Sequence, residues 1–465
     1  MDRNEIAVII CNYNGGEDTV KCIDAVIKSK DIECDIYVVD NASTDSSADR
    51  IGRQFGERVV IVQNAENLGG SGGFGRGLRM AVEEGYPNIM MLDNDAYVDT
   101  DTIKKLHRYL EENPDVGIVG AKIMMSDDPK RIMDYAKTID FETFMDGSKW
   151  CGKLDSEEAK EPRECDFAAA TAAMVRREVL LKCGGMDEAH FIYYDDIELG
   201  YRIKRSGYKV VSLGSAKAWH KSGMTKKTTN TFARYYLTRN RYRFFAKYLP
   251  QEDMERFTEY ILSRAFSYMY GSYYKGRMDI FDTEKYILED FIRDRRGKAG
   301  DRRINELQKD GYHLIENELS GCKRIRIYPA DEVPEHSVVK LCNRLWVINP
   351  DIEIMLSTSF GMKKKSELCL AQLREEYKQN NLNITLAEES SGNSFDKSVH
   401  FCRHVKDITE NILPDIYIDI YGNMIANEQD YIYFRNYEKS YEFFYGLYHD
   451  SVVEAIRQIR KEGDL

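Results

Sequence analysis

Short apolar runs alternate with amphipathic helical patterns along the first 225 residues of this 465-residue chain. Because strands separated by helices form βαβ units, the alternation predicts an α/β fold with a mainly parallel sheet buried on both faces. The predicted strands are 6–10, 36–39, 59–62, 88–92, 116–119, 168–175 and 210–213; helices are predicted near 17–30, 45–55, 74–84, 102–111 and 196–205. Such sheets bind ligands at the carboxyl ends of their strands.

The composition changes between residues 226 and 310, where 19 Lys and Arg stand against 13 Asp and Glu, and 17 of the 53 aromatic residues occur. This local charge of +6 leaves −18 for the rest of a chain whose total is −12. From about residue 321, strands are predicted at 324–328, 345–348, 352–356, 383–386 and 415–420, and helices near 337–343, 364–380 and 450–462. We therefore predict an α/β domain over 1–225, a basic aromatic helical segment over 226–320 and a second, smaller α/β domain of unknown role over 321–465.

Aromatic and apolar side chains recur at helical spacing within the basic segment: Phe232, Tyr235, Tyr242 and Phe245, then Phe257, Ile261, Ala265 and Tyr268. Such stripes are usually the buried faces of helices, here packed on the first domain. The alternative is a face that contacts a membrane surface or an acceptor molecule. The pattern alone leaves both open.

Several classes of protein are excluded or disfavoured by composition. The net charge of −12 argues against wholesale nucleic-acid binding, and no apolar run reaches the ~18 residues that span a bilayer. The apolar run Ile6–Ile10 is too short for a signal peptide, and the ten cysteines include no CxxC pair. We expect a cytoplasmic protein, with peripheral contact to the inner face of the plasma membrane through 226–310 as an open alternative; the oligomeric state is not predicted.

A glycine run, Gly69-Gly70-Ser71-Gly72-Gly73-Phe74-Gly75, follows the third predicted strand and opens a helix. It contains a formal GxGxxG at Gly70, Gly72 and Gly75, with Asp93 further on, so a nicotinamide-dependent Rossmann oxidoreductase is one interpretation. That fingerprint normally follows the first strand, which here ends in Cys11-Asn12-Tyr13-Asn14. The glycines predict a backbone that approaches another group closely, at a helix N-terminus able to meet an anion.

Acidic residues end two of the predicted strands. Asp93-Asn94-Asp95 places two carboxylates where the chain leaves the sheet, and both can turn toward one hard cation such as Mg²⁺ or Mn²⁺. Asp40 ends the neighbouring strand and can hydrogen-bond a ribose or a base. Their convergence at one sheet edge predicts a binding site.

A second acidic cluster, Asp195 and Asp196, opens a helix directly after Tyr193 and Tyr194. Helix capping accounts for one of the two aspartates. A carboxylate flanked by aromatic rings is partly desolvated, which raises its pKa and suits a general base. His220, after Trp219, is either a packed histidine or a further ligand of a mixed oxygen and nitrogen metal site.

In this order and spacing, the motifs resemble those of the inverting family 2 glycosyltransferases with the A-type nucleotide-sugar fold, over roughly residues 5–250. The strings that carry the resemblance are CNYN at 11–14, VVDNAS at 38–43, NLGGSGGF at 67–74, DND at 93–95, GGMD at 184–187, YDDIE at 194–198 and WH at 219–220. Within the family, NLGGSGGF is similar to the form found in bacterial galactofuranosyltransferases, and the subgroup looks like the galactofuranosyl- and rhamnosyltransferases.

The resemblance implies a nucleotide-sugar site built from Asn12, Asp40, Asn67, Gly70, Arg76, Asp93 and Asn94. In it, Asp40 matches the residue that binds the nucleobase or ribose, and Arg76 is expected to meet a phosphate or ribose edge. The middle residue, Asn94, departs from the acidic form of the motif. The departure is tolerable because only the outer two positions need carboxylates.

The resemblance also implies the chemistry. Asp95 and His220, supported by Asp93, match the ligands of Mn²⁺ or Mg²⁺, and Asp196 matches the catalytic base, with Asp195 binding acceptor hydroxyls or orienting the base. The implied activity is metal-dependent transfer, with inversion, from UDP-galactofuranose or dTDP-rhamnose to a hydroxyl of a glycan or lipid-linked glycan in cell-surface polysaccharide synthesis. The alternatives are the oxidoreductase and a catalytically silent sugar-nucleotide-binding protein.

Overall fold

The computed structural model describes residues 4–221, 229–308, 315–359, 361–376, 383–388, 394–408 and 416–463. It divides into two compact units, each made of segments that are separate in sequence. The first comprises residues 1–251, 290–304 and 455–465, and the second residues 252–289 and 305–454. Whether the predicted segments 1–225, 226–320 and 321–465 are independent domains stays a prediction.

Strands and helices alternate in the first unit, as the apolar pattern predicts. Its first half contains β1 (Ile6–Asn12), α1 (Gly16–Ile27), β2 (Asp35–Asp40), α2 (Ser47–Phe55), β3 (Val59–Gln63), α3 (Gly69–Glu83), β4 (Asn88–Asp93), β5 (Ala96–Val98) and α4 (Thr102–Glu112). Its second half contains β6 (Val116–Met125), β7 (Ile132–Asp134), β8 (Thr138–Asp140), β9 (Met145–Gly147), β10 (Pro162–Glu164), β11 (Ala172–Arg176), α5 (Arg177–Cys183), α6 (Asp195–Arg205), β12 (Lys209–His220) and α7 (Phe232–Tyr248). The short strands β5 and β7–β10 were not predicted, because three-residue strands leave too little apolar periodicity.

The main sheet of the first unit runs in the order β10-β12-β6-β11-β4-β1-β2-β3, with β5 and β7 pairing at its side. Strands β4, β1, β2 and β3 are parallel to one another, whereas β11 is antiparallel to both of its neighbours. Two apolar clusters cover the two faces of the sheet. The predicted α/β class with a mainly parallel sheet is confirmed.

The register of the parallel strands brings the polar strand ends together. Asn12 lies opposite Asp40, and Cys11 lies opposite Asp93. Because these strands run the same way, the residues that follow each of them meet at one edge of the sheet. This edge positions the candidate site described below.

The second unit has its own sheet, in the order β15-β14-β13-β16-β17-β18. Its strands are β13 (Arg324–Pro329), β14 (Glu353–Ser357), β15 (Ile384–Ala387), β16 (Lys397–Cys402), β17 (Ile416–Asp419) and β18 (Met424–Ile425), the last antiparallel to its neighbour. Its helices include α8 (Met254–Tyr274), α9 (Met278–Ile292), α10 (Ile315–Leu319), α11 (Glu335–Ile348), α12 (Lys363–Glu376), α13 (Glu428–Phe434) and α14 (Tyr437–Gly463); α9 and α14 end within the first unit. The predicted second α/β region is confirmed.

The prediction of a strand at 345–348 is wrong, because these residues form the last turn of α11. Val338, Leu341 and Leu345 are buried at helical spacing, whereas Val347 is 84% exposed. A four-residue apolar run cannot be distinguished from one helical turn by composition alone.

Most side chains of the aromatic stripes in the basic segment are buried. In α7, Tyr235, Tyr242 and Phe245 are almost fully buried, and in α8 Phe257 and Ile261 are fully buried. These side chains therefore contribute to packing, although α8 belongs to the second unit, whereas the prediction packed both stripes on the first domain. Among the described residues, no helix is both long and apolar enough to cross a membrane.

Candidate active site

Three predicted metal ligands meet at the carboxyl end of β4. Asp93 ends β4, Asp95 lies in the turn before β5, and His220 ends β12, where its pairing with β5 places it opposite Ala96. The Nε2 atom of His220 lies 2.9 Å from Oδ1 of Asp95 and 3.8 Å from Oδ2 of Asp93. The pairing of β12 with β5 thus joins residues that are more than 120 positions apart in sequence.

This triad fits a divalent cation. Two ligands of one ion can be separated by at most about 4.2 Å when each bond is about 2.1 Å long, and both measured distances satisfy that limit. One ligand atom from each residue lies within 4.8 Å of the other two, and all three side chains are half-buried. Burial raises the pKa of Asp93, and the negative charge of Asp95 adds to the effect. A bound cation would relieve this cost of holding two carboxylates together.

Asn12 and Asp40 form a buried hydrogen-bonded group at the ends of β1 and β2. The amide nitrogen of Asn12 donates to Asp40 at 2.6 Å, and the hydroxyl of Ser43 donates to the same carboxylate oxygen at 2.6 Å. On its other side, Asn12 accepts a hydrogen bond from Thr19 at 2.7 Å and one from Asn94 at 3.3 Å. The structure therefore brings the predicted residues Asn12, Asp40 and Asn94 into one network, with Asn12 fully buried at its centre.

The glycine run forms the N-terminal turns of α3, which lies unusually close to β1. A Cβ atom at Gly73 would lie 2.2 Å from Sγ of Cys11, and one at Gly77 would lie 2.2 Å from Cγ2 of Ile9. Gly69 has a φ of +73° and lies against the carbonyl of Phe191. These glycines are explained by packing, and the third-strand position is not that of a dinucleotide fingerprint, so nothing in this geometry favours the oxidoreductase interpretation.

Three residues predicted for the nucleotide-sugar site, Asn67, Gly70 and Arg76, lie within or beside this run. Asn67 accepts a hydrogen bond from the backbone N–H of Gly69 at 2.8 Å, and at Gly70 no atom lies within 4 Å of the place a Cβ would occupy. Arg76 is half-buried and donates to the carbonyl of Gln63 at 2.8 Å and to the side chain of Asn64. Asn64, which the sequence analysis did not identify, thereby links Arg76 to the end of β3.

Asp195 and Asp196 begin α6 after a loop of uncommon backbone geometry. Phe191, Tyr193 and Tyr194 all have positive φ angles, between 64° and 68°. Such conformations cost about 1–3 kcal/mol each in non-glycine residues and persist only where the surroundings enforce them. Asp195 is buried, and its carboxylate accepts a hydrogen bond of 2.7 Å from the hydroxyl of Ser71 in α3.

Asp196 has the protonation behaviour expected of a general base. Burial and the neighbouring charge of Asp195 raise its pKa to about 7, although the ammonium of Lys137 opposes the shift. Lys137 is paired with Asp134 at 3.0 Å, and both come from the segment between β6 and β11. The sequence analysis identified neither residue, because the segment lacks a recognisable motif.

The backbone of Ala170 and Thr171 lies between the Asp93–Asp95–His220 triad and Asp196. The N–H of Ala170 donates to Oδ2 of Asp196 at 3.3 Å, and the carbonyl of Thr171 accepts from the N–H of Asp93 at 3.2 Å. Since Ala170 and Thr171 are adjacent in sequence, the carboxylate of Asp196 and the backbone of Asp93 are hydrogen-bonded to neighbouring residues.

The carboxylate of Glu198, two residues further into α6, has a different role. Burial alone would raise its pKa, but Arg202 at 2.8 Å and Lys247 at 2.7 Å outweigh that effect and lower it to about 2. Glu198 is therefore a structural anion that ties α6 to α7.

Asn240 of α7 supports the strained loop directly. Its amide group donates to the carbonyls of His190 at 3.1 Å, Ile192 at 2.8 Å and Tyr193 at 2.9 Å. It was missed by the sequence analysis, since a lone asparagine among aromatic and basic residues carries no signal.

Part of the first unit matches a known family. Residues 7–184 match the family model "Glycosyl transferase family 2", and the predicted resemblance to this family is confirmed over that part of the chain. The match ends before Asp195, Asp196 and His220, whose assignment rests on the geometry above.

The curated relatives include both predicted subgroups. The chain is 25% identical to "Galactofuranosyltransferase GlfT2" of Mycolicibacterium smegmatis over 269 residues, which are 51% of this chain and 40% of the relative. It is 27% identical to "dTDP-rhamnosyl transferase RfbF" of Shigella flexneri over 226 residues, 48% of this chain and 71% of the relative. The matches therefore span less than half of the length of GlfT2, and only about half of this chain.

Among solved structures, the chain is similar to GalNAc-T7 with UDP, GalNAc and Mn²⁺, at 13% identity and a TM-score of 0.45, over 56% of this chain and 51% of that one. It is also similar to the mannosyltransferase PcManGT of Pyrobaculum calidifontis in complex with GDP-Man and Mn²⁺, at 14% identity and a TM-score of 0.40, over 82% and 89%. With TM-scores below 0.5, the account of the site depends on the chain's own geometry.

Proposed function

We propose that the protein is an inverting, metal-dependent glycosyltransferase that moves a sugar from a nucleoside-diphosphate sugar to a hydroxyl of a glycan or lipid-linked glycan. The observation that carries the proposal is the Asp93–Asp95–His220 triad together with the hydrogen bonds of the adjacent residues Ala170 and Thr171 to Asp196 and to the backbone of Asp93. The named relatives favour UDP-galactofuranose or dTDP-rhamnose as the donor.

In this proposal each acidic group has one task. Asp93, Asp95 and His220 would hold Mn²⁺ or Mg²⁺, which when bound neutralises charge on the departing diphosphate. Asp196 accepts the proton of the acceptor hydroxyl as that oxygen attacks the face of the anomeric carbon opposite the leaving group, which inverts the configuration. Asp195 stays hydrogen-bonded to Ser71, and its charge keeps the pKa of Asp196 close to neutral pH.

Asn12, Asp40, Asn67, Gly70, Arg76, Asp93 and Asn94 are proposed to line the donor site. The open space at Gly70 supports its assignment, since donor atoms can approach the start of α3 there. The burial of Asn12 supports an indirect contribution in which Asn12 orients Asp40.

The base assignment is tested by the release of nucleoside diphosphate from UDP- and dTDP-sugars with Mn²⁺. Asp196→Asn preserves size and keeps an acceptor for one of the two backbone N–H groups that the carboxylate binds, but it cannot accept the proton, so transfer should fall by about 10²–10⁴-fold. Asp49→Asn, on the exposed surface of α2, is the matched control and should retain full activity. Full activity of Asp196→Asn would show that another group is the base.

The donor can be identified by thermal shift with a panel of nucleotide sugars. A ligand at 100 times its Kd stabilises the native state by about 2.7 kcal/mol, provided that it does not bind the unfolded chain. Stabilisation by a UDP- or dTDP-sugar that depends on Mn²⁺ is the expected result. Equal shifts with and without metal would contradict the proposed metal dependence.

We also propose peripheral contact with anionic membranes. The contact would be made by the basic residues of 226–310 and not by the aromatic stripes, because most of these side chains are buried. The expected result is co-sedimentation with phosphatidylglycerol vesicles at low salt that is lost at high salt. If the protein stays in the supernatant at low salt, the segment serves packing alone.

A further inference from the structure

The segment that follows α9 builds a basic cavity in the first unit. The cavity has a volume of about 530 Å³, within the range of about 300–1,000 Å³ typical of small-molecule sites. The cations that line it are Arg239, Arg295, Arg296, Lys298, Arg302 and Arg303, and the only acidic residues among its lining are Asp290 and Asp301. The lining includes none of the residues proposed for the donor, the metal or the base.

Asp290 binds two of the cations that line the cavity. Its carboxylate is buried and accepts hydrogen bonds from the hydroxyl of Tyr235 at 2.6 Å and from Arg295 at 3.2 Å, and it pairs with Arg303 at 3.0 Å. One carboxylate thus holds two guanidinium groups of the wall in place. Arg296, in contrast, is compensated by Asp294 and Glu462.

Three further cations have no carboxylate partner among the described residues. Lys298 and Arg302 are exposed at the cavity, whereas Arg239 is only 3% exposed. Arg239 donates to the carbonyls of Gly297 at 3.0 Å and His190 at 3.2 Å, neither of which neutralises its charge. The cavity therefore has an excess of positive charge that a multiply charged anion would balance, and the planar guanidinium groups suit phosphate oxygens.

We propose that this cavity binds a diphosphate-class anion. The ligand would lie next to the loop that precedes the proposed base. Arg239 lines the cavity and donates to the carbonyl of His190 in that loop, and the N–H of Gly297 donates to the carbonyl of Ala189 at 2.6 Å. The proposal does not depend on glycosyl transfer, since it rests on the cavity alone.

The test is calorimetric titration of the full chain with inorganic pyrophosphate, without divalent cations. The double variant Lys298→Ala/Arg302→Ala should bind at least about tenfold more weakly, because each lost charge-assisted hydrogen bond is worth about a factor of ten or more. Arg293→Ala, an exposed residue of the same segment outside the cavity lining, should bind like the wild type. Asp301→Asn should bind more tightly, since it removes a negative charge from the rim.

The outcomes separate cleanly. No binding by the wild type at millimolar pyrophosphate, or equal affinity of the wild type and the double variant, overturns the proposal. Phosphatidylcholine vesicles that carry farnesyl diphosphate identify the source of the diphosphate. Binding that pyrophosphate displaces and the double variant loses assigns the site to a lipid headgroup. No binding, or binding unaffected by both, assigns it to a soluble diphosphate. Because the readout needs neither donor nor metal, failure of the glycosyltransferase proposal leaves this result interpretable.

Discussion

Gly77 is predicted to be a packing glycine whose replacement destabilises the first unit. In Gly77→Ala, the new methyl group would lie 2.2 Å from Cγ2 of Ile9 and 3.2 Å from Cγ2 of Val39, whereas carbon atoms normally approach to about 3.5–4.0 Å. Ile9 is fully buried and β-branched, so it has little freedom to move away. Overpacking of this kind costs up to about 3 kcal/mol, and the better helix propensity of alanine returns about 1 kcal/mol. The expected net decrease in the free energy of unfolding is about 2 kcal/mol.

Gly70, seven residues earlier in the same helix, is the matched control. No atom lies within 4 Å of the position that an alanine methyl group would take there, so Gly70→Ala should leave the free energy of unfolding unchanged or raise it by up to about 1 kcal/mol. If Gly70 lines the donor site, the same methyl group should weaken binding of the nucleotide sugar. The two variants thus separate a glycine needed for packing from one needed for a ligand.

The assay is denaturant unfolding followed by tryptophan fluorescence in a Trp346→Phe background. The remaining tryptophans, Trp150 and Trp219, both belong to the first unit, so the signal reports on the unit that contains α3. The reasoning is refuted if Gly77→Ala is as stable as the background, or if Gly70→Ala is less stable by more than about 1 kcal/mol.

Three further predictions concern the candidate active site. The value of kcat/KM should rise with pH through about 7 as Asp196 loses its proton. Lys137→Met should move this rise to higher pH, because it removes a positive charge that lowers the pKa of Asp196. An unchanged midpoint in Lys137→Met would contradict this assignment. Asp95→Ala should weaken Mn²⁺ binding at least about tenfold by calorimetry, and unchanged affinity would exclude Asp95 as a ligand. Asn240→Ala should lower kcat more than it raises the KM of the nucleotide sugar, because the carbonyls of His190, Ile192 and Tyr193 each lose one hydrogen bond. A wild-type kcat would show that the loop holds its shape without Asn240.

The main features of the site were predictable because they follow from strand order. Asn12, Asp40 and Asp93 each end a strand with a strong apolar pattern, and parallel strands place such residues at one edge. For His220 the residues alone left two interpretations, a packed histidine or a metal ligand, and only the family resemblance favoured the ligand. Its approach to Asp95 depends on the pairing of β12 with the three-residue strand β5, which leaves no recognisable pattern in sequence.

Burial and the neighbouring Asp195, the two largest causes of the raised pKa of Asp196, were predictable from the sequence, but the two residues that adjust this pKa further were not. Lys137 and Asp134 lie between β6 and β11, where strands of three residues carry no usable periodicity. They act on Asp196 through space, by charge, and a lysine next to an acidic residue in a polar segment is indistinguishable from a solvated surface pair. The local motif thus predicts the direction of the pKa shift of Asp196, whereas the contributions of Lys137 and Asp134 depend on tertiary structure.

The strained loop is hydrogen-bonded by a helix outside the predicted segment 1–225, so we expect the residues that position the proposed base to include α7. Phe191, Tyr193 and Tyr194 keep left-handed backbone conformations that an isolated loop would relax, at about 1–3 kcal/mol each. The carbonyls of this loop are held by Asn240, and Tyr194 donates its hydroxyl to Asp146 at 2.6 Å. Because the loop ends at the proposed base, α7 belongs to the machinery that positions the base, although its composition resembles that of the basic segment that follows.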